Sequence, residues 1–530
     1  MKDTIYKLRT TAKLSQERFA EIFSVSRQSV QKWENGTATP ELPKLIEIAK
    51  YFGISLDYLI LSVDDRTAEE LKFNKILQPE YSSLGKWEFY PNDALIEYEQ
   101  SKDEGLDVEK YKDLFVAVSK LPCDEVKKKA GDVLFDIVSK AETVVGYPYN
   151  EPSDLASIKA LRAEQKVKTE LPQAKADYAK IYGAWMGRVC GCMLGKTVEG
   201  IRTDEFVPFL KETGNYPLHR YLYKTDITDE ISQKYAFPFR GRIFADEINC
   251  MPWDDDTNYV VLAMKIIDTY GKDFTPYDVS RIWLSYQSKN SYCTAERVAY
   301  LNFINGYEPP MSAIYKNPYR EYIGAQIRGD YFGYIYPANP EKAAECAWRD
   351  ASISHVKNGI YGEMFVAAML AVAAVTNDMK EIIRGGLAQV PCTSRLYEGV
   401  SHILNEYEKG ATKDAAFDYI HSLYDEHSSY GWCHTVPNAM IVAASLLYSN
   451  GDFGKAICLS VETGYDTDCN GATVGSVFGM ANGIDSIPEY WKKPINDTLE
   501  TTIFGVGTVK ISDMAKHTIE HIEQYIWRYL

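Results

Sequence analysis

Gly464-Tyr465-Asp466-Thr467-Asp468-Cys469-Asn470-Gly471-Ala472-Thr473-Val474-Gly475 carries two carboxylates into a small-residue helix with glycines at 471, 475, 479 and 483. Glycine inside a helix costs roughly 1 kcal/mol against alanine, so a ridge of them needs a structural reason. Close approach of another backbone is such a reason. A matching ridge stands at Gly183, Gly187, Gly191 and Gly195, and Glu199 follows four residues on. The two ridges predict a tight helix pair that brings Glu199 beside the aspartates. Read as extended chain, Asp466 and Asp468 point the same way, because side chains on a strand repeat every two residues.

A second acidic stretch precedes this one: Met251-Pro252-Trp253-Asp254-Asp255-Asp256-Thr257-Asn258-Tyr259. Three adjacent carboxylates repel one another, and taking them out of water is costly without positive charge among them. Their neighbours are apolar or aromatic, with Trp253 before and Tyr259 to Met264 after. Hard divalent cations such as Mg²⁺ or Mn²⁺ take oxygen ligands of this kind. The alternative is an acidic first turn favoured by the helix dipole. Asp466 and Asp468 tip the balance toward metal. Asp254, Asp255, Asp256, Asp466 and Asp468, with Glu199, offer enough oxygens for two divalent ions.

The run from Gly191 through Lys196 to Glu199, the Asp255-Asp256-Thr257 run and the Gly464 to Gly471 run resemble the ADP-ribosylglycohydrolase family, from about Tyr178 to the C-terminus. The resemblance implies an all-helical fold and a two-metal centre, Mg²⁺ with Mn²⁺ as the other candidate. It also implies removal of ADP-ribose from a partner. Glu199, Asp255 and Asp256 are then the catalytic candidates. The expected substrate contacts are Gln326, Arg328, His355, Gly359, Tyr361, Tyr465, Asn470 and Gly471. The sequence departs from the family at four places. Asp254 and Cys469 stand where threonines are usual, and Cys192 stands where an acid is common. Gly324-Ala325-Gln326-Ile327-Arg328 replaces the usual middle segment. A neutral thiol is a poor ligand for a hard cation, while Asp254 adds an oxygen donor.

The N-terminal residues 1–61 read as a separate helical unit. Ser15 and Ser26 suit N-caps, Asn35-Gly36 ends the second of these helices, and Ala20, Val25, Val30 and Trp33 supply a small core. This stretch resembles the Cro/repressor (Xre-like) helix-turn-helix family, with Ser24 where many members have glycine. The resemblance implies duplex DNA as partner, with the second helix of the motif in the major groove. By position Gln16, Arg27, Gln28, Gln31 and Lys32 face the DNA; arginine reads guanine and glutamine reads adenine through paired hydrogen bonds. A palindromic site read by a homodimer is the expected mode.

Charge and composition fit this division. The 530-residue chain carries a net charge of -16, yet residues 1–60 hold nine Lys or Arg against seven Asp or Glu. A slightly basic head on an acidic body suits local contact with an anionic polymer, not coating of it. Ten cysteines lack paired metal spacing, and neither a signal peptide nor a membrane-spanning run is apparent. The expectation is a cytoplasmic protein with reduced thiols and no membrane partner.

Residues 62–175 form the expected linker and connector. A helix is expected near Ala68 to Ile76, two amphipathic helices over 107–143 divide at Pro122, and a short helix follows Ser153. That hairpin suits either dimerisation or packing on the large domain. Residues 176–530 are almost wholly of helical periodicity, so the fold class is all-α: a helix-turn-helix domain, a helical connector and a large helical glycohydrolase-like domain. Tyr322 to Tyr331 is rich in aromatic and polar groups that suit adenine or ribose.

Two functions follow from this reading. One is a metal-dependent hydrolase acting on an ADP-ribosylated protein, nucleic acid or small molecule, tethered to DNA. The other is a transcription regulator that senses ADP-ribose or a related nucleotide through a weakly active or inactive domain.

Overall fold

The computed structural model describes residues 1–61, 79–163, 176–235 and 241–527. The helix expected near Ala68 to Ile76 lies outside them. The chain divides into two compact units. One comprises Met1–Gly85, Pro91–Tyr98 and Asp107–Ala141; the other comprises Lys86–Tyr90, Glu99–Leu106 and Glu142–Leu530.

The first unit begins with helices Lys2–Thr11, Gln16–Ile22, Arg27–Asn35, Leu42–Phe52 and Leu56–Leu61. Ser15 accepts from the Arg18 N–H and Ser26 from the Ser29 N–H, so both expected caps form. Ser24, where the turn favours glycine, adopts φ 51°. Ile5, Phe19, Val30, Ile48 and Leu59 are fully enclosed and tie the five helices together. The hairpin beyond the linker forms as Lys112–Ser119 and Glu125–Lys140, the second capped by Asp124. It belongs to this unit, with Phe115, Val118 and Leu134 buried. Val133, on the same helix as Leu134, is exposed.

The second unit is helical around one central pair, Tyr178–Lys196 and Thr467–Asn482. The glycine ridges meet. A methyl built on Gly191 would lie 1.8 Å from the Gly471 carbonyl oxygen, and one on Gly187 2.1 Å from that of Gly475. Gly183 stands likewise 2.6 Å from the Gly479 carbonyl. Two ridge positions differ from the expected pairing. Gly195 packs on the Thr467 backbone, 2.2 Å from a built methyl, and Gly483 ends its helix with φ 79°.

The second helix starts at Thr467, a turn earlier than Gly471. The Asn470 N–H donates to the Asp466 carbonyl at 2.9 Å, closing the first turn. Asp468 is therefore helical, and the two-residue alternation expected of an extended segment does not apply. Gly464 and Tyr465 both take positive φ, 77° and 60°, and turn the chain into this helix. For a tyrosine that conformation is strained and needs surrounding structure to hold it. The Tyr465 ring is buried, and its hydroxyl donates to the Tyr424 carbonyl at 2.7 Å.

The remaining helices include Asp255–Tyr270, Lys357–Ala373, Thr435–Leu447 and Ile511–Trp527. Helix Thr203–Glu212 carries Pro208 inside it. The strands among the described residues are one short hairpin, Thr498–Glu500 with Thr508–Lys510. No helix among these residues is long and apolar enough to cross a membrane.

Candidate functional site

The ends of the central pair and the start of helix Asp255–Tyr270 supply the acidic residues. Asp254 is the N-cap of that helix: its Oδ1 accepts from the Asp256 N–H at 2.9 Å, and its Oδ2 receives Lys196 Nζ at 2.5 Å. Both Asp254 oxygens are thus engaged. Burial works to raise this carboxyl, but Lys196 outweighs it and holds the group below its ordinary value. Asp256 is fully buried, and its Oδ1 pairs with Arg188 at 3.0 Å. The same guanidinium pairs with Asp330 at 3.0 Å and donates to the Asp256 and Ile327 carbonyls.

Asp255 is half-buried and faces the charges of Asp254, Glu199 and Glu296. Asp466 and Asp468 are buried, and the Cys433 thiol donates to Asp466 Oδ2 at 3.1 Å. Burial first, and then repulsion between neighbours, pushes Asp255, Asp256 and Asp468 well above the usual carboxylate range; Asp466 rises too. Oδ2 of Asp256 and Oδ1 of Asp468 are buried without a hydrogen-bond partner. Ligand atoms of Asp256, Asp468 and Cys469 lie within 4.8 Å of one another, as do those of Cys192, Asp254 and Asp256. Cys192 and Cys469 stay thiols, because burial and the adjacent carboxylates raise both well above their ordinary value.

The donor set therefore fits a hard divalent cation. Bringing these carboxylates together is unfavourable as they stand, and two buried oxygens await a partner. Lys196 offsets Asp254, Arg188 is shared by Asp256 and Asp330, and Arg242 adds attraction near Glu199 and Asp468, so the cations here are fewer than the carboxylates.

Glu199 lies just past helix Tyr178–Lys196, among the exposed residues. Lost hydration and the charges of Asp466 and Asp254 push its carboxyl up to about 7. Since the residue is exposed, repulsion from the two aspartates is the firmer cause.

The expected substrate residues divide into two sets. Gln326 is fully buried, and neither its Oε1 nor its Nε2 has a partner. Asn470 donates to Asn438 Oδ1 at 2.7 Å and keeps an unpartnered Oδ1. These two have spare polar capacity. Arg328 instead is bound on several sides: it pairs with Glu296 at 2.8 Å and with Asp350, and it donates to Ser354 Oγ at 2.8 Å. His355 Nδ1 meets Ser354 Oγ at 2.8 Å, and burial with the Arg328 charge keeps this ring neutral. Tyr361 donates to the Pro152 carbonyl, Gly359 packs beneath the Arg320 carbonyl, and Gly471 belongs to the ridge. Tyr322 and Tyr331 spend their hydroxyls on the Ser429 carbonyl and His521, so the aromatic middle segment packs within the protein.

Sequence reasoning assigned no role to Arg188, Lys196, Glu296, Asp330 or Cys433. Arg188 had a legible signal, a cation in the middle of a glycine-lined apolar helix. Glu296 is buried against Gly324, and burial pushes it up to about 7 in spite of Arg328.

A polar pocket of about 490 Å³ is lined by Asp103, Tyr147, Tyr149, Arg395, Tyr424 and Tyr430, among others. Arg395 bridges Asp103, Glu151 and Glu321 there. Tyr430 in this wall is three residues from Cys433, which holds Asp466.

In the first unit, Arg27, Gln28, Gln31 and Lys32 share the exposed side of helix Arg27–Asn35. Arg27 meets Glu17 at 2.7 Å on the surface. Gln16 is turned inward, donating to Glu34 at 2.7 Å beside Arg9.

Residues 173–524 match the ADP-ribosylglycohydrolase family, and the chain belongs to that family. Residues 5–59 match the helix-turn-helix family. The N-terminal part is similar to the HTH-type transcriptional activator BcrR of Enterococcus faecalis, 32% identical over 82 residues, which is 16% of this chain and 40% of that protein. It is also similar to the SPbeta prophage-derived HTH-type transcriptional regulator YonR of Bacillus subtilis (strain 168), 34% identical over 58 residues, 11% of this chain and 54% of that one. The chain thus spans about half or less of the length of these relatives. A solved structure described as an ADP-ribosylglycohydrolase-related protein complex aligns over 65% of this chain and 98% of its own, with 15% identity and a TM-score of 0.39.

Proposed function

We propose that the large unit hydrolyses the bond between ADP-ribose and a modified partner, using divalent ions, and that the helix-turn-helix unit places this activity on duplex DNA. The observation that carries this reading is the buried set of Asp256, Asp466 and Asp468, with two carboxylate oxygens unpartnered. Asp255, Asp256, Asp466 and Asp468 would hold the ions. Asp254, with both oxygens engaged, orients Lys196 and caps the helix. When bound, the ions supply Lewis acidity toward ribose hydroxyls and water. Arg188 fixes Asp256 in place.

In the reaction the anomeric C–N or C–O bond breaks through an oxocarbenium-like state, water oxygen joins the anomeric carbon, and a proton passes to the leaving group. Glu199 is the residue to move that proton, since a carboxyl near 7 exchanges protons at neutral pH. The tyrosine-lined pocket suits the flat adenine base.

The test is release of free ADP-ribose from a panel of ADP-ribosylated proteins, nucleic acids and small molecules with Mg²⁺. Release that Glu199→Gln abolishes supports the hydrolase. No release from any of them, with ADP-ribose still bound, supports the second reading, a ligand-sensing regulator. That reading is favoured by the similarity of the N-terminal unit to transcription regulators.

A further inference from the structure

The C-terminal helix carries a second group of metal-type ligands, formed by different side chains from the carboxylate centre. His517 and His521 are four residues apart on helix Ile511–Trp527, so both rings leave one face. They converge on Asp268, in the last turn of helix Asp255–Tyr270. His517 Nε2 lies 2.6 Å and His521 Nε2 3.1 Å from the same oxygen, Asp268 Oδ1. One ligand atom from each of the three residues falls within 4.8 Å of the other two.

The far nitrogens are also held. His517 Nδ1 meets Glu520 Oε2 at 2.9 Å, and His521 Nδ1 meets the buried Tyr331 hydroxyl at 2.6 Å. In the structure each Nε2–H donates to Asp268 Oδ1; a bound ion takes the place of those protons, and Nδ1–H then donates outward to Glu520 and to the Tyr331 hydroxyl. Ligating histidines in metal sites are oriented in this way by partners on the other ring nitrogen. We propose that Asp268, His517 and His521 form a binding site for a borderline divalent transition metal, Zn²⁺ or a close relative.

Two imidazole nitrogens and one carboxylate oxygen suit Zn²⁺, Co²⁺ or Ni²⁺ and disfavour Mg²⁺, which takes oxygen ligands. Three protein ligands leave a fourth position to water. His517 and Asp268 are 38% and 31% exposed at the side chain, while His521 is 6% exposed, so an ion can enter from one side. In a tetrahedral site the ligand atoms stand about 3.3 Å apart, so Asp268 must move outward by less than about 1 Å.

Another group, Asp103, Glu321 and His434, has similar spacing but a different ring chemistry. His434 Nδ1 accepts from the Val436 N–H, so Nε2 carries the proton and cannot ligate. Arg395 also pairs with both of its carboxylates. At the C-terminal site the Nδ1 partners, Glu520 and the Tyr331 hydroxyl, can accept a proton, so the Nε2 proton can be displaced.

The experiment is Co²⁺ titration of the chelator-treated full chain in excess Mg²⁺, read by the intense visible absorption of tetrahedral cobalt. One equivalent taken up and displaced by Zn²⁺ is expected. His517→Ala and His521→Ala should each weaken uptake about tenfold or more. Asp468→Asn should leave it unchanged, which separates this site from the carboxylate centre. Circular dichroism confirms that each variant is folded; His517→Asn, at the more exposed position, serves if His521→Ala is not. A wild-type chain that develops no tetrahedral band at stoichiometric Co²⁺, or a folded His517 variant that develops the full band, overturns the proposal.

Discussion

Replacing Gly191 by alanine tests whether backbone contact between the central helices builds the large unit. The new methyl would lie 1.8 Å from the Gly471 carbonyl oxygen and 2.4 Å from its carbon. Ordinary contact needs about 3.5 Å, so the helices must part locally by about 1.5 Å. Neither partner can rotate away, because both are main chain. Overpacking of well-filled cores costs roughly 1–3 kcal/mol, and this site belongs at the top of that range or above it. Alanine returns about 1 kcal/mol of helix propensity, which leaves a net loss of about 2 kcal/mol or more. Denaturant unfolding followed by helical circular dichroism measures it. Gly471→Ala creates the reciprocal clash, 2.3 Å from the Gly191 carbonyl. Once the helices have parted, the second methyl meets less resistance. The double variant should therefore lose less than the sum of the singles, by roughly 0.5 kcal/mol or more. A neutral or stabilising Gly191→Ala, or strict additivity of the two, refutes the reasoning.

Four further outcomes are expected. Asp468→Asn should weaken Mg²⁺ binding measured by calorimetry; unchanged affinity removes the proposed carboxylate metal centre. Metal-free stability should fall as pH rises from about 4.5 to about 7, because folded Glu199, together with the raised aspartates, keeps protons that the unfolded chain has already lost. Glu199→Gln should reduce that slope in pH-dependent melting, and an unaltered slope would count against the raised carboxyl. Arg27→Ala should reduce specific duplex affinity by about 1–3 kcal/mol in a binding titration, while thermal stability barely moves, since its pair with Glu17 is a surface one. Saturating ADP-ribose with Mg²⁺ should shift operator affinity by about 1 kcal/mol or more; identical titration curves would mean that the two functions ignore each other.

The helical architecture was legible because its signals are local. The glycine spacing announced the central pair, and Ser15 and Ser26 announced the caps that form. Three-residue strands give too little alternation to read. The acidic residues were legible as a group, but their individual states were not. Whether Asp254 is a spare donor or an occupied cap depends on where Lys196 falls in three dimensions. Arg328 likewise reads as a substrate hand until Glu296 and Asp350, distant in the chain, are seen to hold it. Local pattern fixes what a helix buries, whereas the partners of a buried charge come from separate segments.

The glycine ridges also restrict how the central pair can move. Beside the ridges stand larger residues, such as Arg188 and Leu194 on one helix and Val474 and Phe478 on the other. Sliding by one or two residues would drive those side chains into main-chain carbonyls. The next register that seats glycine on glycine is a full turn away, a translation of about 6 Å. That step would carry Asp468 away from Asp256 and break the Thr467 hydroxyl bond to the Gly195 carbonyl. The pair therefore works as a detent with one usable notch. Small gliding adjustments are closed to it, so any change that ligand binding transmits must travel by rotation of surrounding helices or by rearrangement of side chains.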